Sequence, residues 1–174
     1  MSKPALTLDA LNRMDRESFT RTLGDIFEHS PWIAEAAWPA RPFPDIAALH
    51  RAMVAALAQA PEDAQVALIR AHPELAGSAM REKLLTADST AEQAGAGLTT
   101  LSEAESLRFD ALNREYRERF GFPFVIAVKG RDKDAILGAF ESRVRNDPAA
   151  ERETALAEIA MIGRLRLDAL IDPA

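Results

Sequence analysis

Helical periodicity runs through nearly all of this 174-residue chain, and the one stretch that breaks it has nothing to pair with. That stretch is GFPFVIAVKG, residues 121–130, aromatic and β-branched with a proline inside it. Such residues favour an extended backbone, and the apolar run predicts burial. No second segment of this kind exists to complete a sheet. The chain is therefore expected to be all-α: one compact domain over 1–174, of about eight helices, with one short extended segment near 122–128.

The helices announce themselves locally. From Asp15, the spacing of Phe19, Leu23, Ile26 and Phe27 predicts one apolar stripe. Ser30 followed by Pro31 reads as a cap and first turn. Ile46, Leu49, Met53 and Leu57 share a face, and Pro61 opens the next helix. Ser102 with Glu105 forms a capping box, and the helix it starts carries Leu112, Tyr116 and Phe120 before stopping at Gly121. DKDAILGAFESRV and AERETALAEIAMIGRLRLDAL complete the set.

Composition narrows the function. A net charge of −6 argues against nucleic acid, whose binders show a basic face, and against an anionic membrane surface. Cysteine is absent, which removes disulfides, thiolate nucleophiles and thiolate metal sites. No apolar run approaches the roughly 20 residues of a membrane span. The first sixteen residues lack a signal-type apolar segment, and the final DPA is no peroxisomal tripeptide. A cytoplasmic location is expected. There is no G-x-S-x-G, no P-loop and no H-E-x-x-H. GAG at 95–97 reads as a helix stop, and His29, His50 and His72 lie too far apart for a metal-ligand spacing, so no metal site is expected.

Three places could carry chemistry. In LIRAHPELAG, Pro73 disfavours helix at His72, so the helix from Pro61 should end near Ala71. An imidazole at that negative helix end would have a raised pKa and could transfer protons; equally, it could only satisfy a last carbonyl. In STAEQAGAGL, Ser89 and Glu92 form a capping box, yet the Glu92 side chain could instead orient an imidazole. In GRLRLDAL, Arg164 and Arg166 lie on different helix faces. One is expected to be solvated, and an inward one would need an anionic partner, protein or substrate.

Taken together, FEHSPWIAEAAWPARPF, LIRAHPEL, STAEQAGAGL, FDALNREYRERFGFPFVIAVKG, ESRVRND and EIAMIGRLRL closely resemble the OHCU decarboxylases, the 2-oxo-4-hydroxy-4-carboxy-5-ureidoimidazoline decarboxylases of the ureide pathway. The resemblance runs from about residue 8 to residue 170. It implies a cofactor-free, all-helical enzyme that converts OHCU to (S)-allantoin and CO₂, and it suggests a homodimer. By the same resemblance His72, Glu92 and Arg166 are catalytic. Pro73, Ser89, Thr90, Ala91, Gln93, Phe124, Val125, Ile126, Ala127 and Val128 line the substrate pocket. Two other readings compete: a helical protein–protein interaction module without chemistry, and a cofactor-free lyase or hydrolase on a related ureide.

Overall fold

A computed structural model describes residues 6–77 and 85–172. The terminal residues 1–5 and 173–174, weighed above for targeting signals, lie outside them. By their internal contacts the described residues form two compact units, 6–68 with 160–172, and 69–159.

The first unit begins with a two-residue strand β1 (Leu6–Thr7) and helices α1 (Leu8–Arg13), α2 (Arg16–Leu23), α3 (Pro31–Ala37) and α4 (Ile46–Gln59). It contains most of α5 (Glu62–Ala71) and the last part of α9 (Pro148–Leu170), and closes with β2 (Ile171–Asp172), which pairs parallel to β1. α1 is a helix beyond those expected, started by Thr7, whose hydroxyl accepts the Ala10 N–H at 3.2 Å. Asp15 caps α2 through Ser18 N–H at 2.7 Å. The stripe that began at Phe19 does not stay helical to Phe27. α2 ends at Gly24, where a Cβ would lie 2.8 Å from Thr20 O and 3.3 Å from the Pro31 side chain. Ile26 and Phe27 are nonetheless buried in this unit's core with Leu11, Phe19, Leu23, Ile33, Leu49, Met53 and Leu167. Pro31 does open α3, but Ser30 makes no side-chain cap; its hydroxyl donates to Glu28 O at 2.9 Å.

The second unit holds α6 (Ala87–Gly95), α7 (Glu103–Phe120), α8 (Lys133–Arg143) and the first part of α9. The Ser102–Glu105 capping box forms in both directions, with Ser102 N–H on Glu105 Oε2 at 2.8 Å and Glu105 N–H on Ser102 Oγ at 3.2 Å. Gly121 ends α7 at φ 75°, a left-handed geometry that glycine adopts without a Cβ penalty. An aromatic core follows from the i, i+3 and i+4 spacing along α7. Tyr116 packs edge-on to Phe124 and Phe140, which stack on each other at 4.0 Å. The described residues are overwhelmingly helical, with the β1–β2 pair as their one sheet. Residues 123–128 join neither a helix nor a sheet. Among the described residues no helix is long and apolar enough to cross a membrane.

Candidate active site

α5 stops at Ala71, as Pro73 requires, and His72 N–H turns back to Ile69 O at 3.2 Å. His72 is buried at 7% exposure. The loop after it is held by side chains from two helices. Asn113 on α7 donates through Nδ2 to Leu75 O at 2.9 Å, and Gln93 on α6 accepts the Ala76 N–H at 2.9 Å. Gln93 also approaches Glu74 O at 3.5 Å, and the Glu74 carboxylate pairs with Arg117. Ala76 sits at φ 52°, which costs a residue with a Cβ roughly 1–2 kcal/mol. Its bond to Gln93 offsets part of that.

α6 starts one turn earlier than the Ser89 box predicts. Thr86 is the cap, and its hydroxyl accepts the Ser89 N–H at 3.2 Å. Ser89 therefore lies inside the helix, and Glu92, a full turn beyond the capping-box position, does not cap it. Ser89 and Gln93, four residues apart, share the buried face at 4% and 2% exposure. Glu92 is half-buried beside them, while Thr90 and Ala91 face outward. The bonds of Gln93 bring the helix that carries Glu92 against the loop that follows His72.

Segment 122–128 is buried, Pro123 only partly, and side chains hold the main chain at Val125 and Ala127. Arg143 Nη1 donates to Val125 O at 2.9 Å. Ala127 N–H donates to Glu158 Oε2 at 2.8 Å, and Ala127 O accepts from Arg131 Nη1 at 3.1 Å. Behind Arg143 stands a carboxylate with no solvent exposure, Glu151. It receives Arg143 Nε at 2.7 Å, Tyr116 Oη at 2.6 Å and Asn146 Nδ2 at 3.0 Å. Burial first, then the bond to Glu151 and its charge, push the Tyr116 phenol far above its ordinary range, so it remains a donor.

In the first unit, Arg166 points inward, with Nη1 2.8 Å from Glu28 Oε2 and 3.3 Å from Asp25 O. Arg164 lies on the more solvated face, paired with Asp168 at 2.9 Å. His50 is a structural residue, its Nε2 2.7 Å from Ala160 O. Among the described residues no cluster of three or more His, Asp or Glu could hold a metal.

Sequence reasoning overlooked Glu28, Asn113, Arg131, Arg143, Glu151 and Glu158. One signal was available: Glu151 precedes Ala155 and Ile159 at four-residue steps on a buried stripe, and an acid on such a stripe demands a partner.

The model of the OHCU decarboxylase family matches residues 12–168. The chain belongs to the OHCU decarboxylase family. A relative from Haloferax volcanii named 2-oxo-4-hydroxy-4-carboxy-5-ureidoimidazoline decarboxylase is 46% identical over 93% of this chain and 94% of its own. A uric acid degradation bifunctional protein of Bacillus subtilis is 43% identical over 95% of this chain, which spans 33% of that longer protein. A crystal structure of an (S)-allantoin synthase superposes with a TM-score of 0.77 and 30% identity, covering 96% of this chain and 54% of that one. The matched residues run from the end of α1 to near the end of α9.

Proposed function

We propose that this chain decarboxylates OHCU to (S)-allantoin and CO₂, with His72 as general acid–base and Glu92 as the carboxylate that orients it. The carboxylate of OHCU sits on a carbon next to a C=N bond. When the C–CO₂ bond breaks, its electron pair moves toward that imine, whose nitrogen takes up a proton, as the oxygen of a β-keto acid's ketone would. The substrate supplies its own electron sink, and the reading calls for no cofactor. The enol-like product then loses its hydroxyl proton and gains one at the neighbouring carbon, on one face only. An imidazole positioned for those transfers contributes typically 10²- to 10⁴-fold. Glu92 fixes its tautomer and balances its charge.

The observation that carries this reading is the Gln93–Ala76 bond, which draws the Glu92 helix onto the buried His72 loop. Gln93 acts through that loop. Ser89 sits on the same inward face, while Pro73 and segment 124–128 supply the pocket wall. Arg166 is assigned the substrate's negative charge on the family resemblance alone. The chain is further proposed to act as one domain, as a homodimer, in the cytoplasm. Size-exclusion chromatography with light scattering tests the dimer.

The test of function uses OHCU made fresh by urate oxidation and hydroxyisourate hydrolysis, followed by circular dichroism. The protein is expected to speed formation of optically active allantoin. His72→Ala and Glu92→Ala are expected to fold and to yield allantoin at the spontaneous, racemic rate. Wild-type turnover in both variants would remove the assigned roles.

A further inference from the structure

Phe124, Val125, Ile126, Ala127 and Val128 are each exposed by 7% or less, yet among the described residues no strand pairs with them. Buried amides need partners. In an extended chain, the N–H and C=O of one residue point to the same edge and those of the next residue to the other. Val125 and Ala127 therefore share an edge, and Ile126 belongs to the opposite one. The first edge is filled by charged side chains: Arg143 on Val125 O, and Glu158 and Arg131 on the N–H and C=O of Ala127. These charges are themselves balanced, Arg143 by Glu151 and Arg131 by Glu158 at 3.4 Å. Among the described residues, the main chain of Ile126 makes no hydrogen bond.

We infer that Arg143 and Glu158 are positioning residues for substrate recognition, occupying the edge where a neighbouring strand would lie and leaving the Ile126 N–H and C=O to the amide groups of a ureide. A ureide carries N–H and C=O side by side, the pairing one strand offers another. Charged partners suit the task because hydrogen bonds to charged groups are shorter and stronger than neutral ones. They hold the segment in register without covering its open edge. This inference rests on the reading that 124–128 lines the substrate pocket.

The test compares steady-state OHCU turnover and inhibition by (S)-allantoin in Glu158→Asp, Glu158→Gln and Arg143→Lys. Glu158→Asp is one methylene shorter and draws Ala127 out of place. Arg143→Lys keeps a charge near Glu151 but lacks the fork that also serves Val125 O. Each is expected to raise KM about tenfold and to weaken product inhibition by the same factor, with kcat within about twofold; loss of binding shared by ground and transition states has that signature. Glu158→Gln still accepts the Ala127 N–H through Oε1 and is expected to restore most of the affinity. A merely structural role would lower the amount of active protein without moving KM. Folded Glu158→Asp and Arg143→Lys with wild-type KM and wild-type product inhibition would overturn the inference. An inactive wild type, or an active His72→Ala, would instead overturn the functional reading on which it rests.

Discussion

Gln93 Oε1 accepts the Ala76 N–H at 2.9 Å, and Gln93 directly follows Glu92 while Ala76 lies four residues beyond His72. One buried amide thus couples the geometry of the two proposed catalytic groups. Leaving such a donor unpaired costs about 1–3 kcal/mol, and here the donor belongs to a residue already at φ 52°. Gln93→Ala is expected to lose about that much stability in urea and to lower kcat more than it raises KM. An unchanged urea midpoint with full kcat would mean the loop holds itself.

Arg166 and Glu28 form a pair whose side chains are 5% and 2% exposed. Removing one member of a buried pair strands a charge and typically costs about 3–5 kcal/mol, whereas replacing both with apolar residues is often nearly neutral. Glu28→Leu is therefore expected to melt far below wild type, and Glu28→Leu with Arg166→Leu to recover much of that loss. The double variant should still lack activity if Arg166 meets substrate. Thermal unfolding beside the OHCU assay separates the two effects.

What could be read from the sequence was what obeys local rules. The Ser102–Glu105 box, the Gly121 stop and the end of α5 before His72 each depend on residues within four positions of one another. Local rules also misled. T-A-D-S and S-T-A-E both look like helix starts, and the earlier one prevails because the Thr86 hydroxyl takes the Ser89 N–H. The α2 stripe overran because nothing near Gly24 in the sequence announces the close approach of Pro31. The candidate site was legible as motifs and illegible as a network. Arg166 meets Glu28 across 138 positions, Asn113 reaches Leu75 across 38, and Glu158 reaches Ala127 across 31. No periodicity links residues that far apart. The unpaired character of 122–128 was foreseen; the side chains that satisfy it were not.

The corrected start of α6 can be tested directly. Thr86 caps the helix that bears Ser89, Glu92 and Gln93, and replacing a threonine cap with alanine costs about 1 kcal/mol. Thr86→Ala is expected to lose that stability, while Thr86→Ser retains the accepting oxygen and most of the stability. Hydrogen exchange should quicken at Ser89 N–H in the alanine variant and stay slow in the serine one. Equal exchange in both would return the cap to Ser89.

Tyr116 is the chain's one tyrosine, so tyrosinate absorbance in alkali reports this residue alone. Burial, and then the Glu151 carboxylate it donates to, raise its folded pKa far above the ordinary value of about 10. The unfolded chain therefore releases this proton first. The stability associated with the neutral phenol is fully present below the unfolded pKa and falls as pH rises above it. Tyrosinate is expected to appear together with loss of helical circular dichroism, as one event. Tyr116→Phe should remove this share of the alkaline sensitivity while weakening the fold at neutral pH, because Glu151 loses a donor. Titration of Tyr116 near pH 10 in a chain that keeps its helical spectrum would show that the phenol is not bound to Glu151.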